Sequence, residues 1–361
     1  MLAIARASQT RGHQVTIYTR EWQGNLPADL AVVLLPVSGF SNHQQAKAFA
    51  TRCAETIGAD TDLVIGFNKM PGLDIYFAAD TCFAQKVYEE RNWFYRVSSR
   101  SRRFLAMEKA VFDPASKTEV LLISPAQKSV FQRYYQTQEQ RLHLLPPGVK
   151  RDRIMPPDYE RQRQQGRARM GVDEHHYVLL MVGSDYKRKG LVRSIRALAM
   201  LPPELKNRCQ LWVAGQDDAV PYIRLAKQLG VENHLHILGA RDDIPALLWS
   251  ADVFLHPAHS EAAGAVLLEA MVAGLPVIAS DVCGYAHYIE TWQMGKVLTK
   301  HDIDAQLASA IFEIAAQDFD EWRARARRFI EQADIFDMHE KVVAILEKIG
   351  ASLLGRSDHI G

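Results

Sequence analysis

Short apolar runs bounded by turn-forming residues recur along the whole chain. In the first half they fall at 15–19, 31–37, 63–67, 75–79, 120–124 and 142–145. In the second half they fall at 177–182, 211–214, 235–238, 253–256, 276–280 and 296–299. Between them lie amphipathic stretches of helical length, such as 191–200 and 222–229. Fully apolar strands alternating with helices predict βαβ units, whose parallel sheets are covered on both faces. Two such series in one chain predict an α/β protein of two Rossmann-like, doubly wound domains.

The division between the series is legible. Pro146-Pro147-Gly148 closes the first, and the polar, Arg-rich stretch 150–169 follows, punctuated by Pro156-Pro157. The expected domains are 1–148 and 149–336, with a linker near 146–150 and a surface helix leading into the second sheet. Residues 337–361 are expected to form a C-terminal helix that packs back on the first domain. The chain opens on a helix over 2–11, stopped by Gly12, with no strand ahead of it. Doubly wound domains open on a strand and a tight glycine-bearing turn. The first domain is therefore expected to lack its first strand and Gly-rich loop.

Composition narrows the class. Of 361 residues, 48% are apolar and 24% charged, which excludes a disordered or fibrous chain. Lys plus Arg number 43 against 42 for Asp plus Glu, a net charge of +1. That balance excludes a bulk polyanion binder but leaves room for a local basic patch. Cys53, Cys82, Cys209 and Cys283 are scattered without zinc spacing, a pattern of reduced intracellular thiols. No apolar run reaches the 18 or so residues of a membrane helix, and the N-terminus meets Arg6 too early for a signal-peptide core. A soluble, cytoplasmic protein is expected.

Several chemistries lack their signatures. There is no G-x-G-x-x-G, Walker A, G-x-S-x-G or H-E-x-x-H, which removes the motifs of dehydrogenases, NTPases, serine hydrolases and zincins. The strongest positive signal runs from His256 to Ser280 and reads as strand, loop, helix, Gly-Leu-Pro stop and strand. Within it Glu261 and Glu269 form an E-x7-E pair. Placed on one helix they would stand about 12 Å apart, beyond the roughly 5–9.5 Å of a glycosidase acid–base pair. Such a separation suits two carboxylates gripping the two sugars of a nucleotide-sugar through their hydroxyls. Ala262, Ala263 and Gly264 carry almost no side chain, so backbone N–H groups and the positive helix end there could meet a diphosphate. The bland alternative is an amphipathic helix with two solvated glutamates.

A second anion-seeking element is Lys187-Arg188-Lys189-Gly190, directly after the strand 177–182. Cations at the C-terminal end of a parallel strand sit where such sheets bind ligands. Arg188 offers a fork to phosphate and Lys189 a mobile point charge, and both would stabilise charge on a departing diphosphate.

Taken together, E-x7-E after a strand and Arg-Lys-Gly after the first strand of the second domain resemble the retaining GT-B glycosyltransferases of family GT4. The segment 66–80, which reads GFNKMPGLDIYFAAD, is similar to the glucosyltransferases of the lipopolysaccharide core, as are Leu145-Pro146-Pro147-Gly148, Val182-Gly183-Ser184-Asp185 and the stretch 282–288. The resemblance covers about residues 1–335. It implies two domains facing across a cleft and α-retaining transfer of glucose from UDP-glucose to a heptose of the lipopolysaccharide inner core. Glu261 then resembles the glutamate that contacts the donor sugar, Glu269 the one on the ribose, and Arg188 with Lys189 the diphosphate clamp. Arg241 resembles a residue beside the uracil, and Arg153 one that faces the donor. Asp80 resembles the acceptor-side carboxylate; the alternative is a helix cap before Thr81. No metal or other cofactor is expected. Asp60-x-Asp62 precedes its strand and Asp302-x-Asp304 opens a helix, so neither D-x-D spacing is read as a metal site. His13 is read as structural.

The stretch 83–112 has another character. It holds seven Lys or Arg against three Glu, interleaved with aromatics. Arg96, Arg100, Arg102 and Arg103 beside Trp93, Phe94 and Tyr95 are what an anionic bilayer attracts. Nucleic acid would also accept such a patch, but the balanced net charge argues against it. A core helix with a charged outer face is the plain alternative. The resemblance favours peripheral docking on the cytoplasmic face of the inner membrane, where a lipid-anchored acceptor lies. Two competing functions stay open: a membrane-docked nucleotide-sugar binder inactive for want of the first strand and loop, and a nucleotide-sugar epimerase on the same fold.

Overall fold

A computed structural model describes residues 1–299 and 301–357. It divides into two compact units, residues 148–336 and residues 1–147 together with the C-terminal helix Met338–Ser357.

Unit 1 holds six parallel strands in two sheets. β1 (Thr16–Thr19) pairs with β2 (Ala31–Leu34). The second sheet runs β3 (Ile65–Gly66), β4 (Ile75–Ala78), β5 (Glu119–Leu122) and β6 (Leu142–Leu144). The opening helix Leu2–Thr10 joins them by using two faces. Ile4 and Ala7 pack with Ile75, Phe77 and Leu121 of the larger sheet and with Val342 and Val343 of the C-terminal helix. Ala5 packs with Ile17 and Leu30 beside the smaller sheet. Gly12, at φ +91°, ends this helix in a conformation that side-chain-bearing residues rarely adopt. Beyond it Arg11 reaches Glu340 at 2.8 Å and Glu347 at 3.0 Å, and His13 meets Glu347 at 3.1 Å, so His13 serves the helix pair.

Unit 2 is one six-stranded parallel sheet in the order β12-β11-β10-β7-β8-β9. Its strands are β7 (Tyr177–Val182), β8 (Cys209–Ala214), β9 (Leu235–Gly239), β10 (Val253–His256), β11 (Val277–Ser280) and β12 (Gly295–Leu298). Leu179 and Met181 of β7 meet Ile195, Leu198 and Ile311 from the helices Leu191–Met200 and Ile303–Ala315 in one buried cluster. Burial on both sheet faces explains why these strands read as unbroken apolar runs rather than alternating ones. β7 is the first strand of the unit yet lies in the middle, with β8 on one side and β10 on the other. The order therefore reverses between β7 and β10, where open α/β sheets bind ligands beyond the carboxyl ends of their strands.

The stretch 150–169 carries the expected helix at the surface, but one face of it is buried. A 3-10 turn, Arg151–Arg153, precedes the helix Tyr159–Arg169. Arg163 and Arg167 of that helix turn inward onto Asp252, the residue before β10, and Arg167 and Asp252 are both buried. Asp252 also accepts from the backbone N–H of Val178 at 2.6 Å, and Arg167 donates to the carbonyls of Ser250, Asp173 and His176. The partners lie 85 residues apart along the chain, so composition alone reads these arginines as solvated.

Candidate functional site

Two loops at the reversal point build the site. The first follows β7, where Asp185 adopts a left-handed backbone (φ +61°) and opens the helical turn Tyr186–Lys189. Its carboxylate accepts from Arg188 N–H at 3.2 Å and from Arg188 Nε at 3.0 Å, which holds both the turn and the guanidinium. Gly190 closes the turn at φ +81°. A side chain there would strike the Pro257 carbonyl oxygen at 2.0 Å, so glycine lets the loop after β10 approach the loop after β7. The His259 N–H then donates to the Arg188 carbonyl at 2.8 Å.

The second loop carries Glu261. One carboxylate oxygen meets Lys189 Nζ in a close ion pair, Arg188 Nη1 at 3.3 Å and His256 Nε2 at 3.3 Å. Burial pushes the Glu261 carboxyl up, but the hydrogen bonds from His256 and Lys189 and the Lys189 charge outweigh it and hold it at about 2. Burial lowers the His256 pKa against the pull of Glu261, so the imidazole is neutral at pH 7. Glu261 is thus a fixed carboxylate, an acceptor rather than a proton source.

The E-x7-E pair does not lie on one helix. Gly264, at φ +84°, caps the helix Ala265–Val272, so Glu269 is helical while Glu261 precedes it in the loop. The separation inferred from helical rise therefore does not apply. Ala263 and Gly264 are buried and Ala262 half-buried at this helix start, and the Ala263 carbonyl accepts from Tyr285 N–H at 2.8 Å. Glu269 accepts from Arg153 Nε at 3.2 Å, which joins two residues expected at the donor. Arg153 is itself held where Trp249 Nε1 donates to its carbonyl at 3.4 Å. Arg241 stands apart: it follows β9, two strands from β7, and binds Asp243 bidentately at 2.8 and 2.6 Å.

In unit 1, Asp80 is exposed just past β4. It does not cap the following helix. Cys82 occupies the N-cap of Phe83–Gln85 without a side-chain bond, and the capping acceptor is Glu108, fully buried on the helix Ser99–Phe112. Glu108 takes the N–H groups of Phe83 at 2.7 Å and Ala84 at 2.8 Å, together with Lys69 Nζ at 2.6 Å and the Tyr135 hydroxyl at 2.8 Å. Burial, reinforced by Glu108, raises the Cys82 thiol to about 12 and leaves it a neutral donor, 3.7 Å from that carboxylate.

The basic, aromatic stretch folds as the π-helical turn Lys86–Glu90, the helix Trp93–Arg96 and the start of Ser99–Phe112. Trp93 and Phe94 are 65% and 75% exposed, and Arg100 and Arg102 are exposed beside them in sequence. Arg103 and Tyr95 are half-buried. Arg96 is half-buried and engaged with the backbone: its guanidinium donates to the carbonyls of Val87, Arg91 and Tyr88, a structural clamp rather than a free surface cation. No described helix is long and apolar enough to cross a membrane. Among the described residues no group of three or more His, Cys, Asp or Glu side chains could hold a metal ion.

Lys69 and Glu108 were not singled out in the sequence, and His256 and Asp185 appeared there only as members of longer motifs. For His256 the signal was present, since an imidazole ending an otherwise apolar, fully buried strand needs a partner. Glu108 gave none, because it sits in a run of charges that reads as an outer helix face.

Comparison with known proteins agrees with this architecture. Residues 1–153 match the model of Glycosyltransferase Family 4, and residues 162–334 that of Glycosyl transferases group 1. The chain is 39% identical over 348 residues to the lipopolysaccharide glucosyltransferase WaaG of Escherichia coli, covering 96% of this chain and 93% of that one. It superposes on the crystal structure of WaaG, a glycosyltransferase involved in lipopolysaccharide biosynthesis, with a TM-score of 0.89 at 39% identity, over 95% and 94% of the two chains. Sucrose-phosphate synthase from Thermosynechococcus elongatus shares the fold at 19% identity and a TM-score of 0.77, over 97% of this chain and 92% of that one. Likeness across nearly the full length gives no support to an inactive binder. By sequence and by fold the chain belongs to the GT-B glycosyltransferases of family GT4, in the family of WaaG.

Proposed function

We propose that the protein transfers glucose from UDP-glucose to a heptose of the lipopolysaccharide inner core with retention of the α configuration. The observation that carries this reading is Glu261 flanked by Lys189 and Arg188 at the β7/β10 reversal. A carboxylate that is ionised at neutral pH beside two cations suits a hexose, whose hydroxyls donate, joined to a diphosphate, whose oxygens accept. The E. coli relative is a lipopolysaccharide glucosyltransferase, which supports the choice of sugar and of acceptor class.

In the reaction the bond from the anomeric carbon to the diphosphate oxygen breaks and a bond to an acceptor hydroxyl oxygen forms. The hydroxyl proton leaves with UDP. The main electrostatic task is the charge growing on the diphosphate. Arg188 is held by Asp185 and Lys189 by Glu261, so both cations are aimed before the donor arrives and little reorganisation is needed. The N-terminus of the helix Ala265–Val272 adds N–H groups to the same oxygens. In this reading the cations do the work a metal does elsewhere. Glu269, oriented by Arg153, takes the ribose hydroxyls, Arg241 lies towards the base, and Asp80 takes a hydroxyl of the acceptor.

The exposed Trp93 and Phe94 with Arg100 and Arg102 dock the enzyme on the anionic cytoplasmic surface of the inner membrane, beside its lipid-anchored acceptor. The test is incubation with UDP-glucose and heptose-terminated core oligosaccharide. Mass spectrometry should show the gain of one hexose, and proton NMR a small anomeric coupling typical of an α linkage. A β linkage, or hexose isomerisation without acceptor, would reject the reading.

A further inference from the structure

We infer that Lys69 and Glu108 are positioning residues for Asp80, anchoring the backbone that directly follows it so that its carboxylate faces the acceptor. This rests on the reading of Asp80 as the acceptor-side carboxylate. Lys69 lies in the loop after β3 and Asp80 in the loop after β4, neighbouring loops at the carboxyl edge of one parallel sheet, where such sheets bind ligands. The Lys69 ammonium bridges them. It donates to Glu108 at 2.6 Å and to the carbonyl of Thr81, one residue past Asp80, at 3.0 Å. The next residue is fixed as well, since Cys82 N–H donates to Gln127 Oε1 at 2.8 Å, and Glu108 then holds the N–H groups of Phe83 and Ala84.

The carboxylate of Asp80 stands in contrast. It is exposed, and among the described residues it accepts no hydrogen bond and forms no ion pair. A backbone fixed at four successive positions beside an acidic side chain with nothing to bind is the arrangement of a preset acceptor for hydroxyl donors. Stability gives a poor account of the same knot. A short helix can be capped by a surface Ser or Asp at its N-cap, and a buried ion pair is often no more stabilising than apolar residues of the same size. What an ion pair with directional hydrogen bonds adds is a fixed geometry.

The test is steady-state transfer by the full chain carrying Lys69→Met, with UDP-glucose and heptose-terminated core as substrates. The expected result is a loss of about tenfold or more in kcat/KM for the acceptor with donor KM unchanged within about twofold, and recovery of most of that loss in Lys69→Arg. Asp80→Asn should show the same split, and the double variant should be no worse than the poorer single, because both act through one carboxylate. Glu108→Gln, which keeps the side-chain shape, gives the same readout if Lys69→Met does not fold. An impaired Asp80→Asn beside a folded Lys69→Met with ordinary acceptor kinetics would overturn the inference alone. Fully additive losses, or equal losses for both substrates, would do the same. An Asp80→Asn with ordinary kinetics would remove the acceptor reading of Asp80 and the inference with it.

Discussion

Lys189 and Glu261 lie 72 residues apart in sequence and form an ion pair in which each side chain is 13% exposed. The pair spans the two loops at the sheet's reversal point, and in the proposed function it sets the charge pattern that meets the donor. Removing one partner leaves the other charge largely buried without compensation. Glu261→Gln is therefore expected to lower kcat/KM for UDP-glucose by about 100-fold or more, with the fold retained by far-UV circular dichroism. Activity within a fewfold of wild type would place the sugar elsewhere.

Acid should weaken the fold through the same group. The folded-state carboxyl of Glu261 sits at about 2, below its ordinary 4.5, so its stabilisation is full above pH 4.5 and is lost as pH falls towards 2. Its size is about 3 kcal/mol. His256 acts in the same direction at higher pH, because its lowered folded pKa means that the unfolded chain takes up the proton first below about 6.5. Thermal unfolding followed from pH 7 to 4 should show a falling Tm, and His256→Asn should flatten the portion between pH 6.5 and 5. A Tm independent of pH across that range would contradict the buried neutral imidazole.

Asp252 offers a control in the same unit. Asp252→Asn leaves Arg163 and Arg167 with an uncompensated buried charge, a loss of about 3 kcal/mol. Urea unfolding should show the lowered midpoint, while UDP affinity of the folded protein stays at the wild-type value. A fall in UDP affinity as large as that of Lys189→Ala would show that this cluster belongs to the donor site.

How much of this was legible follows from what each feature depends on. All twelve strands of the described residues overlap apolar runs visible in the sequence, most plainly the central ones such as β7, β10 and β11, where burial on both faces selects apolar residues along the strand. Glu261, Arg188 and Lys189 were legible as a motif because ligand loops follow strand ends. Arg167, Arg96 and Glu108 were not. Each looks like one charge among many on a helix, and its role is fixed by partners brought close only by folding, such as Asp252 for Arg167 and Phe83 for Glu108. The placement of Glu261 before its helix turned on a single glycine, Gly264, whose left-handed backbone starts the helix only at Ala265.

The proposed membrane docking predicts different roles for the arginines. Arg100→Ala and Arg102→Ala should each weaken binding to phosphatidylglycerol-containing vesicles by about 1 kcal/mol, roughly fivefold, and Trp93→Ser with Phe94→Ser should weaken it further. Arg96→Ala should act mainly on stability, since its guanidinium serves three backbone carbonyls. Co-sedimentation with vesicles at two salt concentrations separates these effects. Equal binding by all variants would leave the patch without a role at the bilayer.

The decisive measurement is transfer of labelled glucose from UDP-glucose to heptose-terminated lipopolysaccharide, by the wild-type chain and by Glu261→Ala in parallel. The wild type is expected to give a label-bearing core that depends on the heptose, and the variant to give none. Label released as free glucose, no transfer by the wild type, or equal transfer by the variant would contradict the proposed function.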